Sequence, residues 1–205
     1  MKKTILVSIP MTIKKNPKLH LSDDISLPVS NRKVVFVINA FLEKTVTQAD
    51  ELKVLLLMKK SPVSEHEKWA QCFMDELNAV NAGIGAKIEY KKIESEFSEK
   101  GFVHEALLTD IINDIEVGSH LLTDITYGPK DIPFVMFAAL NFAEKFLGCE
   151  VDNLIYGQVN FQNGVPVNPK ICDMVPLYYL NSVTNTVRAE EPQRARQMLK
   201  SLLSI

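Results

Sequence analysis

Short runs of branched and apolar residues recur at 4–9, 54–58, 86–93, 120–125 and 154–159, and longer stretches of helical periodicity separate them. Runs of that length, rich in Val, Ile and Leu, predict strands, because branched side chains suit a pleated surface. Between them, residues 65–80 place Trp69, Cys72, Phe73, Leu77 and Val80 on one helical stripe, and residues 102–117 do the same with Val103, Ala106, Leu107, Ile111 and Ile115. Residues 132–147 are apolar over almost the whole first half, which predicts a helix buried on more than one side. Asp131 is a candidate cap for it, and Pro133 suits the first turn, where backbone N–H groups lack helical partners.

Strand and helix in alternation predict an α/β fold: a Rossmann-like, doubly wound, mostly parallel sheet with helices on both faces and right-handed crossovers. The early chain is less regular. Residues 10–32 carry Pro10, Pro17 and Pro28 among many polar residues and predict a loop or hairpin; residues 32–37 predict a short strand entering a helix over 38–46. Asn163–Gly164 is a hairpin signal, and residues 191–203 predict a final helix with Met198, Leu202 and Leu203 on one side. With no repeat and no linker, residues 1–205 form a single domain, a core over 1–160 followed by a C-terminal hairpin and helix over 161–205.

Composition narrows the partners. The 205 residues are 46% hydrophobic and 23% charged, and 23 Lys plus Arg against 25 Asp plus Glu leave a net charge of −2. A protein coating duplex DNA or an acidic membrane is usually more basic. The longest apolar run, residues 134–140, is far short of the ~20 residues of a membrane span, and residues 1–10 lack the features of a signal peptide. Cys72, Cys149 and Cys172 are odd in number and widely spaced, which fits a reducing cytoplasm.

Open parallel sheets bind ligands beyond the carboxyl ends of their strands, where the strand order reverses. For the common order 3-2-1-4-5 the reversal lies between strands 4–9 and 120–125. The expected site is therefore the loop Ser8, Ile9, Pro10, Met11, Thr12 together with the loop Thr126, Tyr127, Gly128, Pro129, Lys130. The second has the parts of a phosphate site. Gly128 lets backbone approach a ligand, the helix start offers free N–H groups, Thr126 brings a hydroxyl, Lys130 a charge, and Tyr127 a ring for a base. It equally resembles a plain strand-to-helix turn. Lys2, Lys3, Lys14, Lys15, Lys18 and the pair Lys59–Lys60 either gather round this face or are solvated. Asp124 is either a base or an acceptor that orders the loop; the second fits better, since a bare carboxylate repels a phosphate.

Other chemistries lack their signatures. There is no Gly-x-x-x-x-Gly-Lys-Ser/Thr loop, no Gly-x-Ser-x-Gly elbow and no complete dinucleotide fingerprint at Gly83-Ile-Gly85. His20, His66, His104 and His120 show no metal-ligand spacing, so neither a metal nor a cofactor is expected.

The segment Asp124-Ile-Thr-Tyr-Gly-Pro-Lys130, the helix Ala139-Leu-Asn-Phe-Ala-Glu-Lys-Phe-Leu-Gly-Cys-Glu150 and the strand Leu154-Ile-Tyr-Gly157 resemble the CARF domains of CRISPR-associated proteins, Rossmann-like sensors of type III systems. The family loop is Asp-x-Thr-x-Gly-x-Arg/Lys, matched at Asp124, Thr126, Gly128 and Lys130. Residues 37–46 and the strand over 53–58 are also similar, so the resemblance spans about residues 1–160. It departs from the family at Ile9-Pro-Met-Thr12, where a Gly-Thr pair is common. The resemblance implies a homodimer that binds cyclic tetra- or hexa-adenylate and signals to an effector domain or protein. It also implies an alternative, a metal-independent ring nuclease in which Ser8 and Lys130 are catalytic. Outside the family, the rival is an enzyme binding a nucleotide or sugar phosphate in the same crevice.

Overall fold

The computed structural model describes residues 1–203 except 14, 164 and 189. In chain order the elements are β1 (Lys2–Ser8), α1 (Val37–Thr45), β2 (Glu51–Lys60), α2 (His66–Asn81), β3 (Lys87–Glu96), α3 (Gly101–Asp114), β4 (His120–Asp124), α4 (Asp131–Phe146), β5 (Glu150–Gln162), β6 (Val165–Asp173), α5 (Val175–Thr186) and α6 (Pro192–Leu203). One six-stranded sheet runs β3-β2-β1-β4-β5-β6. Its first five strands are parallel and β6 is antiparallel to β5. The α/β, Rossmann-like expectation holds, including the reversal of strand order between β1 and β4.

Period-two alternation in the central strands sends side chains to two cores. Ile5, Val7, Val54 and Leu56 face a core shared with Phe36, Phe41, Trp69 and Phe73 of the α1 and α2 side. Leu6, Leu55 and Leu57 face a second core with Leu107 and Ile111 of α3, Met136 and Leu140 of α4, and Tyr178 of α5. Strands buried on both faces read as unbroken apolar runs, which is why β1 and β2 were plain in the sequence. The edge strand β3 differs. Its sequence KIEYKKIESE buries only Ile93.

Several boundaries differ from expectation. No strand covers 32–37; Val34 makes one isolated bridge to Lys18, and the chain enters α1 at Val37. The start of α1 is held by Glu76 of α2, whose carboxylate accepts the Val35 and Phe36 N–H groups at 2.7 and 3.0 Å and Asn39 Nδ2 at 2.9 Å. Residues 10–32 form a loop whose Leu21 brackets Lys170 on the outer edge of β6 rather than a hairpin. α3 ends at Asp114, three residues early. The C-terminal part holds an extra helix, α5, started by Asp173 accepting the Val175 N–H at 2.9 Å. In the expected Asn163–Gly164 hairpin, Gly164 lies outside the described residues; Asn163 has φ 52°, and the strands on either side pair antiparallel.

The amino-terminal edge of the sheet is pinned electrostatically. Asp50, 7% exposed, accepts Lys3 Nζ at 3.1 Å and the Thr47 N–H at 2.8 Å. Burial alone raises its pKa, but these donors win and bring it down to about 2. A depressed carboxylate stabilises the fold above its unfolded pKa and loses that contribution as pH falls toward the folded value. Asp50→Asn should therefore cost about 1–2 kcal/mol in urea unfolding at pH 7, with the gap to wild type closing between pH 4 and 2.

Candidate functional site

Both loops predicted from the strand order meet at the carboxyl edge of β1 and β4. Pro10, Met11, Thr12 and Ile13 line one wall of a cavity of about 610 Å³; residues 126–131 line another, and Phe97 and Glu99, after β3, complete it. Ser8 and Ile9 do not reach the cavity. They are 1% and 0% exposed and lie beneath it.

Four local contacts shape the second loop. Asp124 ends β4, and its Oδ1 accepts the Thr126 N–H at 2.8 Å. Thr126 Oγ1 in turn accepts the Gly157 N–H of β5 at 2.8 Å. A Cβ on Gly157 would lie only 3.0 Å from Thr126 Cγ2 and 3.1 Å from Val37 Cγ1, so glycine admits this close approach. Gly128 has φ +88°, and a Cβ there would fall 1.9 Å from Ser8 Oγ. The two loops thus touch at Ser8 and Gly128, two residues from Lys130.

Lys130 is exposed at the start of α4. Around it, the first turn of α4 leaves little backbone to offer: Ile132 N bonds Pro129 O at 3.2 Å, Pro133 has no N–H, and the Asp131 carboxylate takes its own amide. Asp131 does not cap the helix. Its carboxylate instead accepts Lys59 Nζ at 2.9 Å and lies 3.1 Å from His104 Nε2. Burial raises the Asp131 pKa, but the Lys59 ammonium outweighs it and the net shift is downward. Lys59 is almost fully buried and also donates to Glu96 O at 3.2 Å, so its charge is spent on Asp131 rather than offered to the cavity. Lys60 pairs with Glu94. Lys2 and Lys3 bond Glu116 and Asp50 at the opposite end of the strands. Lys14 lies outside the described residues, and Lys18 joins Val34. Lys15 lines a neighbouring hollow of about 390 Å³ that shares Ile13 with the main cavity. Of the described basic residues expected there, Lys130 is the one lining the main cavity.

Tyr127 is less free than its loop position suggested. Its hydroxyl donates to Val35 O at 2.9 Å and its ring meets Phe36 edge-on at 5.6 Å. The exposed aromatic ring at the cavity is Phe97, 51% exposed. Phe97, Glu99 and His104 are site neighbours that the sequence pattern does not single out, whereas Lys59 is expected at this face but is buried against Asp131. The signal for the first two was their place directly after a strand, at the same edge as the chosen loops.

Asp124 takes the loop-ordering role. It is 1% exposed, and burial raises its pKa to about 6 against the opposing hydrogen bonds from Thr126 and the Ile38 N–H. Among groups with metal-ligand chemistry, Glu99, His104 and Asp131 converge within 4.8 Å, but the Lys59 ammonium on the same carboxylate opposes a cation. His120, Glu150 and Asp152 converge at the far end of the sheet. Searches against family models and against curated proteins find no match for this chain.

The loop contacts generate two expectations. Gly128→Ala should cost more than about 2 kcal/mol, because steric overlap and an unfavourable φ combine. Adding Ser8→Gly should recover part of that loss in the same thermal or urea unfolding measurement. For Asp124, a folded pKa above the unfolded value means stability that is present below pH ~4 and lost as pH rises through about 6. Asp124→Asn should then be more stable than wild type at pH 7 by up to about 2–3 kcal/mol, and the difference should shrink on acidification to pH 4.

Proposed function

We propose that the chain is a CARF-like receptor domain that binds a cyclic oligoadenylate, the second messenger of type III CRISPR defence, between the loops after β1 and β4. The observation that carries this reading is the convergence of those two loops on one cavity, with Lys130 and the start of α4 on its wall. Each phosphodiester of the ring brings one negative charge, which Lys130 and the positive end of the α4 dipole would meet. Phe97, rather than Tyr127, offers a face to an adenine. The hydroxyl of Thr12, on the cavity wall, can meet a ribose 2′-hydroxyl.

The ring is nearly two-fold symmetric, so a homodimer presents each loop twice. The exposed Phe134, Phe142 and Phe146 of α4 supply an apolar face for a second copy. Cys72, Cys149 and Cys172 are all unpaired, which suits a reducing cytoplasm. Among the described residues no helix is long and apolar enough to cross a membrane. An effector, in the same protein or separate, would receive the signal.

One observation favours cleavage of the ring as a second reading. Ser8 Oγ is buried without a hydrogen-bond partner and lies against Gly128, close to the base of the Lys130 loop. A shift of that loop would expose a hydroxyl beside a cation, which is what positioning a 2′-hydroxyl for in-line attack requires.

Incubation with cyclic tetra- and hexa-adenylate distinguishes the readings. Binding with an intact ring supports the receptor, and products ending in 2′,3′-cyclic phosphate support cleavage. Failure to bind either ring returns the site to a nucleotide- or sugar-phosphate enzyme. Lys130→Ala should weaken binding at least about tenfold and flatten its dependence on salt; unchanged affinity removes Lys130 from the site.

A further inference from the structure

Two unpartnered surfaces of this chain complement each other. The first is a groove of about 370 Å³ between α3 and α4, floored by Leu108, Val135 and Ala138 and walled by Phe134, which is 76% exposed. At 100° per residue, Phe142 and Phe146 continue the same flank of α4 beyond Ala138. Of the acids on α3, Glu105 lines the groove and makes no ion pair among the described residues, whereas Asp114 faces away and pairs with Lys53 and Lys91. The second surface is α6, in which no residue is buried. Its Met198 and Leu202, one turn apart, are 37% and 55% exposed. Arg194, one turn before Met198, flanks this pair and makes no ion pair among the described residues, while Arg196 and Lys200 lie on the opposite face.

The dimensions agree as well as the charges. α4 has 16 residues and α6 has 12, about 24 and 18 Å long, so the groove and its continuation accommodate the whole helix. A chain does not easily fill its own groove. α5, which leads into α6, packs on the other flank of α4, where Tyr178 meets Phe137 edge-on and Tyr179 bonds Glu144 at 3.1 Å.

We propose that α6 of one copy docks into the α3–α4 groove of a second copy, with Met198 and Leu202 against Phe134 and Ala138 and Arg194 against Glu105. This rests on the homodimer of the proposed function and names its contact. The exchange is reciprocal, so each pair of copies makes it twice, and neither helix needs to leave its own chain's fold to do so.

Sedimentation of the full chain over a range of concentrations tests it, together with affinity for cyclic oligoadenylate. Met198→Glu with Leu202→Glu should weaken dimerisation at least about tenfold while circular dichroism and thermal unfolding show an intact fold. Arg194→Glu should weaken it too, and Glu105→Arg added to that variant should restore it. A dimer that keeps its full affinity in every α6 variant overturns the contact but leaves the receptor reading standing. A wild-type chain that stays monomeric throughout overturns the contact, and ligand binding by that monomer would show separately that the site works alone. Retention of wild type, but not the Met198 and Leu202 variant, on phosphatidylserine-containing vesicles, with sedimentation unchanged, also overturns it by assigning α6 to a membrane surface.

Discussion

The cavity owes its form to a close approach between two strand ends. Thr126 leaves β4 and places its hydroxyl on the Gly157 N–H of β5, where a side chain at position 157 would collide with it. Asp124 holds the Thr126 N–H from below, and two residues later Gly128 turns with positive φ over Ser8. These contacts make one small lattice in which the glycines at 128 and 157 are required by their neighbours. Its consequence is directional. The chain leaves β4, crosses the end of β1 and enters α4 with Lys130 toward the cavity.

The same lattice sorts the charges. Asp131 on the wall is neutralised by the buried Lys59, and Asp124 sits beneath it with a pKa near 6. Self-compensated charges of this kind fix geometry without adding much net field. The attraction the cavity exerts on an anion thus depends on a few exposed groups, Lys130 foremost, with Glu99 on the same wall opposing it. An almost neutral protein can have a selective anion site on these terms, because close donors matter more than overall charge.

The sheet order was legible because the central strands are buried on both faces and therefore read as unbroken apolar runs, and because one rule relates strand order to ligand position. The two loops followed from that alone. Individual roles were less legible. Tyr127 and Lys59 have the right chemistry for a ligand, yet the first bonds Val35 O and the second is buried against Asp131, and neither partner is close in sequence. Long-range pairing of that sort leaves no local pattern. α5 was missed for a different reason: VPLYYLNSVTNT is rich in aromatic, branched and turn-forming residues that disfavour helices, and packing of Tyr178 into the core overrides this. The Asp173 cap and the proline in the first turn were the available signals. The strand expected over 32–37 failed because Glu76, remote in sequence, takes the Val35 and Phe36 amides that a neighbouring strand would have used.

The two borders of the sheet limit how this molecule can assemble. Along β3, lysines and glutamates crowd a strand that buries only Ile93, so a neighbour approaching edge-on would meet fixed charge at nearly every step. At the other border, Leu21 occupies backbone groups on both sides of Lys170, and β6 itself contains Pro166 and Pro169. Continuous β-pairing between molecules is discouraged at either end. Growth into fibrils is thereby disfavoured, and recognition of other chains is left to the helical faces, where contacts are finite and can be undone.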